Sequence, residues 1–219
     1  MKNVMKSLLI CVSLVVVPAA LPGATVFSNF GAGSSYNTAL GNPIGNDFNG
    51  DNLAQGDTFV SGANFTFTSL NIALSCIFGG CPDPLSVKLT SDAAGKPGAT
   101  IESFTVPGAT LGALGNNNAP VVLNSIIMPT LVAGTRYWIT VSTDLNDTAG
   151  WNLNSTGDTS SEALSPDGGS TWIAPSNQTP GAYAVFGNAP AVTPEPASMG
   201  LLLGSGILLG LLKRARKRQ

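Results

Sequence analysis

Leu85-Ser-Val-Lys-Leu-Thr90 is the stretch of this sequence that best indicates the fold, because apolar and polar side chains alternate at every position. A period of two is typical of a β-strand with one buried face and one polar face. The segment Ser91–Gly98, which is rich in turn-forming residues, follows it, and Thr100–Val106 then predicts another strand. These residues therefore predict two neighbouring strands joined by a turn.

The same kind of pattern extends outward through most of the chain. Ala63–Cys76 carries two alternating apolar runs of opposite phase, Phe65–Phe67 and Leu70–Leu74, so we expect a bulge or short turn near Ser69. Further strands are predicted at Thr58–Val60, Ala119–Ile127, Arg136–Ser142, Ala149–Asn152, Ser170–Ala174 and Ala182–Gly187. Short strands between Gly, Pro and Asn turns predict an all-β fold, a single antiparallel β-sandwich with a jelly-roll-like strand order, over residues 25–187.

The N-terminal residues 1–24 have the features of a secretory signal peptide. Lys2 and Lys6 supply positive charge, and an apolar run, Leu8–Val17, follows them. Small residues then offer two cleavage positions, after Ala24 or after Ala20. We therefore expect an exported protein.

The charge of the central region excludes several classes of function. Residues 25–193 contain three basic and eleven acidic side chains, a net charge of −8, which disfavours nucleic-acid binding. The chain has no histidine, so Ser-His-Asp and Cys-His catalysis are excluded, and it has no phosphate-binding or dinucleotide-binding glycine motif. A carboxylate pair could in principle cleave glycosides, but the scattered acids do not single one out. We expect a protein that is not an enzyme and carries no cofactor.

The C-terminal residues form three consecutive parts. A Pro-rich linker, residues 188–196, ends in Pro194-Glu195-Pro196, and the uncharged run Ala197–Leu212 follows it. A helix of these 16 residues would be about 24 Å long, which is short for a membrane span but close to the required length. The basic tail, residues 213–219, should stay on the cytoplasmic side because positive charge resists translocation; its basic residues are Lys213, Arg214, Arg216, Lys217 and Arg218.

This tail resembles the PEP-CTERM sorting signal of Gram-negative bacteria that make exopolysaccharide. The resemblance implies processing at the Pro-Glu-Pro motif by a membrane enzyme, an exosortase. It also implies passage through the inner membrane to the cell surface or extracellular matrix. The alternative is an ordinary C-terminal membrane anchor.

Three segments of the central region are similar to the choice-of-anchor R type of bacterial surface domain. They are Gly95-Lys-Pro-Gly-Ala-Thr-Ile101, Leu131-Val-Ala-Gly-Thr-Arg-Tyr-Trp138 and Asp167-Gly-Gly-Ser-Thr-Trp172. Such domains precede different surface anchors, which agrees with the tail. The resemblance implies no known activity.

Two cysteines remain after signal removal, and they lie five positions apart. We expect Cys76 and Cys81 to form a disulfide, because an exported protein meets an oxidising environment. A redox or metal-binding pair is the alternative, and the absence of histidine argues against zinc.

A short acidic stretch offers a calcium candidate. Asp47, Asn49 and Asp51 have the alternating spacing with which oxygen ligands of a calcium loop face one cation. The sixth and twelfth positions, Asn52 and Thr58, depart from that pattern, so ordinary loop composition is the alternative.

The segment Ser165-Pro-Asp-Gly-Gly-Ser-Thr-Trp172 matches the Asp-box motif of sialidase propellers. We interpret this single copy as a hairpin device in which Asp167 bonds the turn, the glycines take positive φ and Trp172 packs beneath. Catalysis of the sialidase type would need several arginines, and Arg136 is the one arginine of the central region.

The tryptophans are the remaining candidates for binding. Trp138, Trp151 and Trp172 could form a platform on which a sugar stacks, although large aromatic side chains also fill the cores of β-sandwiches. The sequence therefore predicts a structural or adhesive surface protein linked to exopolysaccharide, with a carbohydrate-binding module as the alternative.

Overall fold

The computed structural model describes residues 23–46, 50–77, 80–81, 83–143, 148–174 and 178–190. Within them the chain forms thirteen strands and two short 3-10 turns, which confirms the predicted all-β fold. No helix among these residues is long and apolar enough to span a membrane. The Pro194-Glu195-Pro196 motif, the Ala197–Leu212 run, the basic residues and nearly all of the predicted signal peptide lie outside the described residues.

The strands follow the chain as β1 Ala24–Ser28, β2 Gly41–Asn46, β3 Asn52–Val60, β4 Phe65–Ile72, β5 Leu74–Cys76, β6 Leu85–Asp92, β7 Pro97–Val106, β8 Val121–Asn124, β9 Thr130–Leu131, β10 Arg136–Thr143, β11 Thr148–Asn152, β12 Glu162–Ser165 and β13 Tyr183–Asn188. They form two antiparallel sheets. The smaller has the order β1-β13-β4-β8, with β9 also on β4. The larger has the order β5-β11-β2-β3-β10-β6-β7, with β12 also on β3.

Early strands pair with late strands in a nested way. β1 pairs with β13, β2 with β11 and β3 with β10, while β2–β3 and β6–β7 are sequential neighbours. The apolar faces of both sheets meet in one core. Its largest side chains include Phe59, Phe67, Trp151 and Tyr183, which are fully or almost fully buried.

The alternating stretch Leu85–Thr90 lies in β6 and forms the strand that was predicted. Leu85, Val87 and Leu89 are buried in the core, and the β6–β7 turn brings Thr100–Val106 beside them. The pairing of β4 with β13 shifts register between Phe67 and Ser69, which confirms the predicted bulge.

Other boundaries differ from the predictions. The Ser170–Ala174 strand is wrong, because the backbone there folds into the Asp-box turn and keeps a single bridge, from Ile173 to Leu164. The strand predicted at Ala119–Ile127 is shortened to Val121–Asn124. β1, β2, β9 and β12 were not predicted. β2 reads Gly-Asn-Pro-Ile-Gly-Asn and lacks alternation.

Candidate functional site

The Asp-box segment forms a tightly bonded turn directly after β12. Asp167 accepts hydrogen bonds from the backbone N–H and the hydroxyl of Thr171 at 2.7 and 2.8 Å. Ser165 donates its hydroxyl to Asp167 and accepts the N–H of Gly169, each at 2.7 Å. The bonds from Thr171 and Ser165 lower the pKa of Asp167 to about 2. The predicted hairpin device is confirmed.

Two glycines allow Trp172 to pack against this turn and the sheet. Gly168 and Gly169 have φ of 70° and 97°, a region that other residues rarely adopt. A Cβ added to Gly56 in β3 would lie 3.4 Å from the Trp172 ring, so the indole lies directly over the backbone of that strand. The turn therefore fixes Trp172, half-buried, on the outward face of the larger sheet.

A small polar groove runs from this indole across β10, β6 and β7. Its volume is about 70 Å³, and its lining includes Lys88, Thr90, Thr100, Thr140 and Ser142. These side chains share the outward face because the residues that alternate with them in β6 and β10 are buried in the core. The groove offers hydroxyls, one ammonium and one aromatic ring.

Thr90 in this groove is unusual. Its side chain is 3% exposed, yet its hydroxyl has no hydrogen-bond partner. Buried polar groups in native proteins are nearly always hydrogen-bonded, so an unpaired one needs an explanation. Because this hydroxyl is also closed off from the surface, it costs stability and does not contact a ligand in the groove.

The predicted platform of three tryptophans is wrong, because Trp138 and Trp151 are completely buried. Trp138 lies on the outward face of β10, as the alternation indicates, but its indole is enclosed and donates to Asp92 at the β6–β7 turn at 2.8 Å. Trp151 belongs to the core, where it donates to the Ala182 carbonyl at 3.1 Å and packs edge-on against Tyr183. Trp172 alone of the three reaches the surface.

A pair of carboxyl groups forms a second polar feature, which the sequence analysis did not identify. Asp57 of β3 and Glu162 of β12 are direct cross-strand partners, and both are buried. Asp57 accepts the N–H of Gly181 at 2.8 Å, and Glu162 accepts the side-chain N–H of Asn42 at 3.0 Å. These two acids differ from the others only in being cross-strand partners, although they lie 105 positions apart in the chain. The sequence could not indicate this pairing because it does not reveal the order of the strands.

This environment favours protonated carboxyl groups. Burial raises the pKa of Asp57 well above its usual value, and the charges of Glu162 and Asp158 raise it further. Burial also raises the pKa of Glu162. Glu162 lines a polar cleft of about 560 Å³ together with Gly95, Thr159, Ser160, Ser161, Ala174, Gln178 and Thr179. Glu162 is thus the member of the pair that borders the cleft, whereas Asp57 is fully buried and bonded to the Gly181 backbone.

The remaining predicted residues have mixed outcomes. Cys76 and Cys81 form a disulfide, as predicted. Asp47 and Asn49 lie outside the described residues, whereas Asp51 is exposed just before β3. Across the described ranges no group of three or more acidic or cysteine side chains is placed to hold a metal ion.

Comparison with known proteins adds no assignment. No family model matches the chain, and no curated protein is significantly similar to it.

Proposed function

We propose that this chain is an exported surface or extracellular-matrix protein of a Gram-negative bacterium, sorted through its C-terminal PEP-CTERM-like signal and not an enzyme. The observation that carries the proposal is the fixed order of Pro194-Glu195-Pro196, the apolar run Ala197–Leu212 and the basic cluster. The protein crosses the inner membrane, is processed by an exosortase and presents its β-sandwich outside the cell. Its role there is structural or adhesive and linked to exopolysaccharide.

The test is mass spectrometry of the mature protein from fractionated cells. Wild type should end near Pro194 and leave the inner membrane, while Glu195→Ala should keep Arg218 and stay behind. Thr193→Ala, directly outside the motif, is the matched control and should behave as wild type. If all three proteins keep Arg218 in the inner membrane, the tail is a plain anchor and the sorting proposal fails.

A second candidate function is carbohydrate binding in the groove beside Trp172. It is favoured by one combination: a half-buried indole beside a groove that is also lined by Lys88, Thr100 and Ser142. Aromatic rings stack on the apolar face of a sugar, and hydroxyls recognise its edge. The expected ligand is a sugar unit of the cell's own exopolysaccharide.

A pull-down with purified exopolysaccharide tests this second function. Wild type and Ile173→Ala should bind, and Trp172→Ala should not. Ile173 is the matched control because it is the next residue, is exposed and does not line the groove. Equal binding by both variants would remove the groove as the site.

A further inference from the structure

The loop between β8 and β9 presents three consecutive apolar side chains to solvent. Ile126 is 90% exposed, Ile127 63% and Met128 57%. Single exposed apolar residues are ordinary on protein surfaces, but a contiguous exposed set marks an interaction site.

The loop is held in this shape by a buried carboxylate. Glu102 of β7 accepts the N–H groups of Ile126 and Ile127 at 2.7 and 3.1 Å and the hydroxyl of Ser125 at 2.7 Å. The same hydroxyl accepts the N–H of Met128 at 2.8 Å, and Met128 has a φ of 51°, which is costly for a residue other than glycine. The fold thus uses a buried acid and a strained backbone to keep apolar side chains outside.

The loop lies at the end of the sandwich where the chain leaves it. Thr66 of β4 pairs with Asn188, the last residue of β13, on one side and with Thr130 of β9 on the other. The helix predicted from sequence starts at Ala197, nine residues after Asn188, so the intervening chain spans at most about 30 Å. The apolar loop is therefore within reach of any membrane in which that helix sits.

The charge at this end suits a lipid surface. The segments Val60–Phe65, Asn124–Tyr137 and Gly187–Pro190 contain no acidic residue, although the central region has a net charge of −8. Arg136, which is exposed and paired with Val60, is the one charged residue in them. Two acidic side chains lie close by: Glu102 is buried beneath the loop, and Asp92 follows Ser91, the cross-strand partner of Tyr137. The apolar loop itself carries no charge that anionic headgroups would repel.

We propose that, in the chain that still carries its tail, the Ile126–Met128 loop inserts into the surface of the bilayer that the tail spans and orients the sandwich with this end toward the membrane. The apolar side chains enter the boundary between headgroups and acyl chains, where burying them is favourable. Arg136 lies at the level of the headgroup phosphates. The inference rests on the proposed function, because the tail brings the loop to the membrane.

The test places a fluorescent side chain at the tip of the loop in the full chain. Ile127→Trp is reconstituted in vesicles of phosphatidylethanolamine and phosphatidylglycerol, with and without brominated acyl chains, and the emission added over wild type is measured. We expect that emission to be blue-shifted and mostly quenched by the brominated lipid. Ile173→Trp, on the flank of the larger sheet, is the matched control and should not be quenched. Ile126→Trp repeats the test should Ile127→Trp not fold.

The outcomes separate this inference from the proposed function. If the chain floats with vesicles after a carbonate wash but the added emission stays unquenched, the loop does not insert and this inference is overturned. Protection from aqueous acrylamide without quenching by bromine would identify a second copy as the occupant and would also overturn it. If the added emission is quenched before the wash but carbonate then removes the chain from the vesicles, the predicted membrane helix is wrong and the loop inference holds. Failure to float at all contradicts both.

Discussion

At the scale of single residues, two threonines in one row of the larger sheet show how the contribution of a buried hydroxyl to stability depends on its hydrogen-bond partner. Thr58 of β3, Trp138 of β10 and Thr90 of β6 are cross-strand neighbours. Thr58 donates to the Ser161 carbonyl at 3.0 Å, whereas the Thr90 hydroxyl is buried without a partner. Replacing each threonine by valine should therefore change the free energy of unfolding in opposite directions.

We expect Thr90→Val to raise the free energy of unfolding by about 1 kcal/mol, since an unsatisfied buried hydroxyl costs roughly 1–3 kcal/mol. Thr58→Val, the matched control, should lower it by about 1 kcal/mol because a hydrogen bond is lost. Urea denaturation of the two variants measures both. A loss of stability in Thr90→Val would mean that its hydroxyl is satisfied in solution and would contradict this prediction.

The tryptophans mark the limit of sequence reasoning at this scale. Alternation in β10 correctly places Trp138 on the outward face, but it cannot show that this part of the face is enclosed at the β6–β7 turn. The Trp172 environment was predictable in part, because the spacing of Ser165, Asp167 and the glycines specifies the turn beneath it. The exposure of a tryptophan depends on which loops fold over its strand, and this is set by the tertiary structure.

At the scale of elements, strands with strict alternation were the easiest to predict, and β2, which lacks alternation, was missed. β6 and β10 were predicted from their own residues, whereas β2 contains Gly41, Pro43 and Gly45 and is a strand only because β11 and β3 supply its hydrogen-bond partners. The carboxylate pair was missed for the same reason, since it exists only once β12 lies beside β3.

That β3–β12 pairing should make stability depend on pH. The pKa values of Asp57 and Glu162 are raised in the folded protein, so the native state binds protons more tightly than the unfolded chain. Their contribution to stability is complete below the pKa values of the unfolded chain, about 4. It is lost as pH rises through the pKa values of the folded protein. We expect thermal unfolding of wild type to shift to lower temperature across this range.

Asp57→Asn isolates the effect of the pair. Its amide oxygen can still accept the Gly181 N–H, but it does not titrate, so the fall in unfolding temperature above pH 4 should be smaller than in wild type. Asp167 does not affect this comparison. Its pKa is lowered to about 2, so its contribution to stability is lost only below about pH 4. An identical pH profile in Asp57→Asn and wild type would show that the pair does not hold a proton.

At the scale of the whole molecule, a polar seam just before β13 joins the two sheets. Gly181 donates to Asp57 of the larger sheet at 2.8 Å and accepts from Asn29, which follows β1 of the smaller sheet, at 2.9 Å. Tyr183 in β13 donates its hydroxyl to the Thr58 carbonyl of β3 at 2.8 Å. Strain introduced at this seam should therefore reach both sheets.

Gly181→Ala tests whether both sheets unfold as one unit. Its Cβ would lie 2.4 Å from three atoms of the buried Trp151 indole, which cannot move without disturbing Tyr183 in the opposite sheet. We expect the free energy of unfolding to fall by about 1–3 kcal/mol or more, because overpacking a core forces shifts of side chains and backbone. In Gly62→Ala, the matched control, the Cβ meets no atom within 4 Å, and the change should stay within about 0.5 kcal/mol.

Two probes of the same denaturation decide the outcome. Near-ultraviolet circular dichroism reports the packing of the buried tryptophans, and far-ultraviolet circular dichroism reports all strands. If the seam couples the sheets, Gly181→Ala shifts both transitions equally, as cooperative unfolding requires. If only the near-ultraviolet transition shifts, the Trp151 region unfolds separately and the sheets are coupled elsewhere in the core.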